Sequence, residues 1–224
     1  MPKNQGKRRP YKKPYKKHYK RKYPIGRTLK TSSGSPGIAE QMFVKLKYVE
    51  TFSLTGAPSI QLFRGNDLFD PNYTGTGHQP YLSDQLGPLY QNFTVYASKI
   101  KISAGTDGVV DGRVLVRPTN SSATIANFDL SVERPDTKSC SFTPERRCNI
   151  NHYSTSKKIL GVSDIDDLEY AGRNNTTGPA TSPNQIWYWA VSTIGADGSS
   201  IVAVLNISIT YYVKYWKRTL QNIS

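Results

Sequence analysis

A strict alternation of apolar and polar side chains over residues 200–216 most limits what this chain can fold into. The odd-numbered residues from Ile201 to Tyr215 are apolar, whereas the even-numbered ones form a mixed set. A period of two places successive side chains on opposite faces of a β-strand. Residues 42–54 repeat the alternation, and no ten-residue segment has a persuasive helical period. The pattern therefore predicts an all-β protein.

Turn signals divide the rest of the chain into further strands. Asp107-Gly108 and Asp197-Gly198 predict tight turns. Residues 65–88 contain four Gly and three Pro, which predicts a long ordered loop with one helical turn at Ser83–Leu86. The predicted strands cover residues 42–54, 60–64, 90–103, 109–118, 137–142, 152–160, 185–194 and 200–216. Eight strands with little helix predict an antiparallel sandwich or barrel.

Positive charge is concentrated at the amino-terminal end of the chain. Thirteen of the first thirty residues are Lys or Arg, and the first acidic residue is Glu40. The remaining residues carry 17 basic against 16 acidic side chains, so the first thirty account for nearly all of the formal net charge of +14. Residues 1–37 are therefore predicted to be a disordered polyanion-binding arm and linker, followed by a body over residues 38–224.

The arm interleaves its charges with four tyrosines at every fourth residue, from Tyr11 to Tyr23. Basic side chains neutralise phosphates and exposed rings stack on unpaired bases, which favours single-stranded over duplex nucleic acid. A nuclear-localisation signal or a solvated tail is the simpler alternative. The predicted nucleic-acid-binding residues are Lys3, Lys7, Arg8, Arg9, Tyr11, Lys12, Lys13, Tyr15, Lys16, Lys17, Tyr19, Lys20, Arg21, Lys22, Tyr23, Arg27 and Lys30.

The sequence gives little support for an enzymatic, metal-binding or membrane-spanning function. The chain has three His and no G-x-S-x-G, P-loop or G-x-G-x-x-G motif, so we expect no enzymatic activity and no cofactor. Cys140 and Cys148 lack a second cluster for zinc and are expected to be free thiols. Apolar runs such as 201–205 are far too short to span a bilayer, so we expect a soluble protein. The carboxylates in 164–169 are expected at a helix start, with a divalent-cation site as the alternative.

Two blocks of the body stand out as motifs, Ser156–Val162 and Asn184–Trp189. Further short motifs are Phe63–Asn66, Tyr73–Gly75, Gly77–Pro80, Asp84–Leu86, Leu89–Tyr90 and Thr210–Val213. This set resembles the capsid proteins of small circular, Rep-encoding single-stranded DNA viruses, although Lys157 replaces a usual Arg and Ile186 is interposed. The resemblance covers roughly residues 43–216, nearly the whole body.

This resemblance implies an eight-stranded antiparallel jelly-roll sandwich that self-assembles into a small icosahedral shell of roughly sixty copies. The first, last, third and sixth strands would share one sheet. The implied partners are a single-stranded DNA genome, other copies of the chain and the host nuclear import machinery, with the protein in the virion and, during infection, the nucleus. A coat protein of an RNA or satellite virus and a non-assembling nucleic-acid-binding module are the alternatives.

Assembly contacts are expected in the loop of residues 65–88 and at tryptophans. The candidates are Asp70, His78, Asp84, Trp187 and Trp189, with the tryptophans expected as anchors of either an interface or the core. His78 with a carboxylate is a weak ligand set, so a hydrogen bond within the loop is favoured over a metal or a proton switch. Further nucleic-acid contacts are predicted at Lys99, Lys101, Arg113 and Arg117 if their strands face the shell interior, the alternative being a solvated strand face.

Overall fold

The computed structural model describes residues 39–106, 108–122, 127–174 and 180–219. Those ranges contain nine strands and three short α-helices, together with 3₁₀ turns at Gly87–Leu89 and Leu168–Tyr170. The strands are β1 Gln41–Gly56, β2 Ser59–Arg64, β3 Tyr90–Thr106, β4 Gly112–Thr119, β5 Lys138–Phe142, β6 Cys148–Thr155, β7 Ala171–Arg173, β8 Tyr188–Gly195 and β9 Ile201–Arg218. The helices are α1 Ser83–Leu86, α2 Phe128–Val132 and α3 Ser156–Leu160.

The strands form two antiparallel sheets packed face to face. Sheet A has the order β1-β9-β3-β6, with β7 paired to the start of β3, and sheet B has the order β2-β8-β4-β5. This is the strand order of a jelly roll. The predicted fold class is therefore confirmed, and the predicted first, third, sixth and last strands do share one sheet.

The alternation that predicts the strands also builds the core. Tyr211 and Ile209 of β9 face inward beside Leu46 and Tyr48 of β1, and all four side chains are buried. Sheet B contributes Val114, Val116, Trp189 and Val191 to the same cluster. Along these strands, every second side chain therefore points into the space between the two sheets, as expected for a period of two.

One predicted strand is partly wrong. Residues 152–160 were predicted to form a single strand, but β6 begins at Cys148 and ends at Thr155. The Thr155 side chain accepts a hydrogen bond from the Lys158 backbone N–H, and Gly161 closes α3 in the left-handed region at φ 71°. A Thr cap and a terminal Gly are helix signals that outweigh the β-branched residues of this segment.

A β-bulge in β3 changes which side chains face the core. Val95 pairs with Val213 and Ala97 with Tyr212, so Tyr96 is an extra residue on this strand. Before the bulge, Phe93 and Val95 face the core; after it, Ile100, Ile102 and Ala104 do. One additional residue in a strand moves every later side chain to the opposite face. Lys99 and Lys101 therefore lie on the outer face of sheet A.

The connections are segregated between the two ends of the sandwich. Because every pairing is antiparallel, the short turns β1–β2, β3–β4, β5–β6 and β8–β9 meet at one end. The long connections lie at the other end, where β1 begins at Gln41 and β9 finishes at Arg218. The residues that precede β1 therefore join the sandwich beside its long loops.

The two cysteines are unpaired, and the helices of the described residues are short. Cys140 and Cys148 are free thiols, and burial raises the pKa of Cys148 to about 12. None of the helices in the described ranges is long and apolar enough to cross a membrane.

Candidate functional site

The predicted nucleic-acid-binding residues, from Lys3 to Lys30, lie outside the described residues, so their role stays a prediction. The structure does place the point where they join the body. Ala39 is fully buried, and its carbonyl accepts a hydrogen bond from the Tyr90 hydroxyl at 2.8 Å. The first described residue is therefore fixed to the sandwich just before β1, an edge strand of sheet A.

The loop between β2 and β3 is anchored at its start by a buried ion pair. The Asp67 side chain is fully buried, and its carboxylate accepts from Arg64 Nη1 at 2.9 Å and from the Ser182 hydroxyl at 2.6 Å. Its other oxygen accepts from the Phe69 backbone N–H at 3.0 Å. Removing one partner of a buried ion pair leaves an uncompensated charge, so this contact holds the loop in one conformation.

A second anchor joins the middle of the same loop to β1. The buried Asn72 side chain donates to both Glu50 carboxylate oxygens, at 3.0 and 3.1 Å, and accepts from Gln61 Nε2 at 2.7 Å. Glu50 also accepts a hydrogen bond from the Tyr48 hydroxyl. Glu50 lies on the inward-facing side of β1, where a charged group is normally unfavourable. Its carboxylate is stabilised there because it accepts several hydrogen bonds.

The three assembly candidates of this loop occupy separate places. The exposed His78 ring stacks on Tyr48, with centroids 4.6 Å apart, and Asp70 lies 3.6 Å from Arg64 Nη1. Asp84 lies in the first turn of α1. The described residues contain no group of three or more metal-ligating side chains. His78 is thus held by a ring contact with β1, whereas among the described residues its side chain makes no hydrogen bond within the loop.

Four large exposed side chains of the loop were not predicted from the sequence. Phe69, Tyr73 and Leu82 are 43–45% exposed and Tyr81 is 77% exposed. Leu82 also adopts the left-handed conformation, at φ 72°, which is uncommon for a bulky residue. Apolar side chains displayed on a hydrogen-bonded loop are typical of interaction surfaces. Only their exposure in the folded chain distinguishes them from core residues.

Trp187 and Trp189 do not lie on a contact surface of the folded chain. Both are fully buried in the core, with ring centroids 5.2 Å apart. Trp187 Nε1 donates to the Ser156 hydroxyl at 3.0 Å and Trp189 Nε1 to the Ser98 hydroxyl at 2.8 Å. Buried indoles whose N–H groups are satisfied inside one subunit stabilise its fold and offer no side chain to a neighbouring copy.

The four basic residues predicted as further nucleic-acid contacts lie in two different sheets of the sandwich. Lys99 and Lys101 lie on the outer face of sheet A, whereas Arg113 and Arg117 lie on β4, in sheet B. Arg113 pairs with Asp129 of α2 at 3.0 Å and sits over the Phe128 ring at 5.1 Å. The four residues therefore cannot all face one shell interior, and Arg113 is already engaged within the subunit.

The carboxylates of residues 164–169 do lie at a helical turn, but this is the 3₁₀ turn Leu168–Tyr170, which begins after Asp167 and has no side-chain cap. Asp164 and Asp166 precede the turn and pair with nearby lysines. Asp166 accepts from Lys214 at 3.1 Å and from the Tyr96 hydroxyl, and the donors hold the pKa of Asp166 below its ordinary value although burial acts in the opposite direction. Asp164 lies 3.7 Å from Lys157.

His152, which sequence reasoning passed over, is the more buried of the two described histidines. Its Nε2–H donates to the Asp136 carbonyl at 2.7 Å, while Nδ1 accepts from the Tyr153 backbone N–H at 3.0 Å. Burial lowers the pKa of His152, and Lys138 and Lys158 act in the same direction, against Asp136. Protonation of Nδ1 would break the bond from Tyr153, so the geometry favours the neutral ring.

We therefore expect His152 to make the fold sensitive to acid. A histidine whose folded pKa is lowered stabilises the protein fully above the ordinary value of 6.5, and this contribution is lost as the pH falls below it. Urea unfolding of His152→Asn between pH 5 and 8 should give a flatter pH profile than that of the unaltered chain. His78→Gln is the control for loss of an imidazole at an exposed position, and its profile is measured beside that of His152→Asn. An unchanged profile for His152→Asn would contradict this assignment.

Comparison with known proteins identifies no family by sequence. No family model matches the chain, and no curated protein matches it. Among solved structures, the chain is similar to the decameric BFDV capsid protein, with 10% identity, a TM-score of 0.44 and coverage of 79% of this chain and 99% of that one. It is also similar to tobacco necrosis virus, with 12% identity, a TM-score of 0.48 and coverage of 84% and 86%. Desmodium yellow mottle tymovirus matches with 13% identity, a TM-score of 0.43 and coverage of 90% and 100%.

Proposed function

We propose that this chain is the coat subunit of a small circular single-stranded DNA virus. The body self-assembles into an icosahedral shell of roughly sixty copies, and the basic arm packages the genome. The proposal is supported chiefly by the partition of charge: a nearly neutral jelly roll is joined to an arm that carries almost the entire net charge of +14. The sequence resemblance described above points to the same class of virus.

The geometry of the β2–β3 loop supports the assembly part of the proposal. This loop is tied to the sandwich at Arg64 and at Glu50, and it still exposes Phe69, Tyr73 and Tyr81. A pre-organised loop loses little conformational entropy when it meets a neighbouring subunit. We therefore place subunit contacts at these aromatic residues, next to the candidates Asp70, His78 and Asp84.

The arm has a second role in this proposal. Its clusters of Lys and Arg match the composition recognised by the nuclear import machinery, so the subunit would reach the host nucleus before it is built into the virion. The same charges then bind the genome, because import and packaging occur at different times.

Particle size and genome type test the proposal. We expect the purified full-length protein to form uniform particles in electron micrographs and by light scattering. A protein that stays monomeric with and without added single-stranded DNA would indicate a non-assembling nucleic-acid-binding module instead. Nucleic acid extracted from the particles should be degraded by DNase, and RNase sensitivity would assign the chain to an RNA or satellite virus.

A further inference from the structure

The outer face of sheet A carries a compact group of basic and aromatic side chains, which we call the lysine face. It consists of Lys45 and Lys47 on β1, Lys99 and Lys101 on β3, Tyr212 on β9 and Tyr153 on β6. The register sets them in adjacent rows: Lys45, Tyr212 and Ala97 lie side by side, as do Lys47, Thr210, Lys99 and Tyr153. Strand spacing places the lysines of β1 and β3 about 10 Å apart across β9.

The aromatic part of this face is built around a small residue. Tyr153 and Tyr212 meet edge to face with their centroids 5.9 Å apart, and Ala97 on the strand between them leaves room for the rings. The Lys45 ammonium lies 5.4 Å from the centroid of Tyr212. Tyr153 is 52% exposed, so an edge or face of this pair is open to an incoming ligand.

The charge of the lysine face is not balanced within the subunit. In the part of the chain that the structure describes, no carboxylate lies within ion-pair distance of Lys47, Lys99 or Lys101. Asp166, in the loop before the 3₁₀ turn Leu168–Tyr170, is already bound to Lys214 of β9. The face therefore presents uncompensated positive charge, which a bound polyanion that spans β1 and β3 would offset.

Protection of a sheet edge explains only part of the pattern. Lysines on an exposed edge strand discourage pairing with other chains, and this reason applies to Lys45 and Lys47 on β1. Lys99 and Lys101 lie on β3, an inner strand between β9 and β6, where no edge needs protection. A ligand that spans both strands accounts for all four lysines.

We propose that the lysine face binds single-stranded nucleic acid as a second contact, separate from the arm. This inference rests on the proposed packaging function and deepens it. The arm itself cannot cover the face, because both are cationic, whereas a polyanion bridges them: the arm joins β1 at the edge of this same sheet. Exposed rings beside lysines suit unstacked bases, which a duplex does not offer. It follows that sheet A faces the genome in the assembled shell.

Four charge-removing substitutions test the phosphate contacts. In the full-length chain, Lys45, Lys47, Lys99 and Lys101 are each changed to Gln, and binding of a labelled 40-nucleotide oligo-dT is measured by anisotropy at several salt concentrations. The log–log salt slope should decrease by up to about 2.8, because each lost contact to a single strand removes about 0.7. The matched control changes Lys138, Arg146, Arg147 and Lys158 to Gln and removes equal charge; its slope should stay unchanged. Equal slopes for the two variants would overturn the proposal.

Two more measurements identify the ligand and the contact. Oligonucleotides containing bromodeoxyuridine should cross-link to Tyr153 or Tyr212 in mass spectra, and Tyr153→Leu with Tyr212→Leu should weaken oligo-dT binding about tenfold while duplex binding changes less. Cross-links confined to the arm would overturn the inference yet leave arm-driven packaging intact. Loss of binding to anionic lipid vesicles, with oligo-dT binding unchanged, would assign the face to a membrane surface instead. Failure to form particles would reject the proposed function itself.

Discussion

A chain that lacks residues 1–30 is expected to keep its fold and to lose most of its packaged nucleic acid. The deletion removes thirteen basic residues, and the body that remains has 17 basic and 16 acidic side chains. In a shell of roughly sixty copies, the arms would contribute roughly 780 positive charges, which offset a similar number of phosphates. All the buried residues of the described body, from Ala39 onward, remain in the shortened chain.

Three measurements follow the effect of this deletion. Thermal unfolding should be unchanged, particle yield should be maintained, and the ratio of absorbance at 260 to 280 nm should fall to that of empty shells. A matched variant keeps the arm but changes Tyr11, Tyr15, Tyr19 and Tyr23 to Leu; it separates charge from stacking because all thirteen cations remain. Packaging by the deleted chain at the level of the full chain would show that the arm is not the packaging element.

The largest loss of stability is expected for Trp187→Ala, at about 3–5 kcal/mol of the free energy of unfolding. The ring is fully buried, and its Nε1–H is bonded to Ser156, which in turn donates to the Val95 carbonyl. The ring also fills the space in front of Gly65, where an added Cβ would lie 2.4 Å from its atoms. Removing the indole therefore leaves a large cavity between the two sheets, and the Ser156 oxygen loses its buried donor while the hydroxyl keeps its bond to Val95.

Urea unfolding followed by circular dichroism measures this cost, because tryptophan fluorescence changes with the substitution itself. Trp216→Ala is the control: Trp216 is a half-buried residue on the outer face of sheet A whose Nε1–H bonds to Thr94. We expect it to cost less than half as much, since only part of its ring is withdrawn from water. Equal losses for the two variants would contradict the burial argument.

Much of the fold follows from local patterns that the sequence displays. The alternation in β9 and β1 predicts two strands that each have one buried face, and these strands pair with each other in sheet A. The turn at Asp197-Gly198 and the helical turn at Ser83–Leu86 were predicted from residue type alone. These features depend on backbone preferences and on a period of two, which neighbouring residues determine.

Two features of the structure could not be predicted from local sequence patterns. The extra residue at Tyr96 is invisible to an alternation rule, because a bulge is a mismatch between two strands that are distant in sequence. Trp187 and Trp189 look like any exposed aromatic anchors until the sheets are packed. In both cases the deciding contact comes from residues far along the chain.

The sequence by itself determined the class of the protein and its most charged element: an all-β body joined to a basic, tyrosine-bearing arm. Composition and periodicity suffice for that, because charge content and strand alternation are properties of contiguous residues. Only the tertiary structure decided which side chains share a surface. In the fold, Lys99 and Lys101 lie on the same surface as Lys45 and Lys47, whereas Arg113 lies in the other sheet. Pairing register and the bulge determine which face of the sheet each side chain occupies.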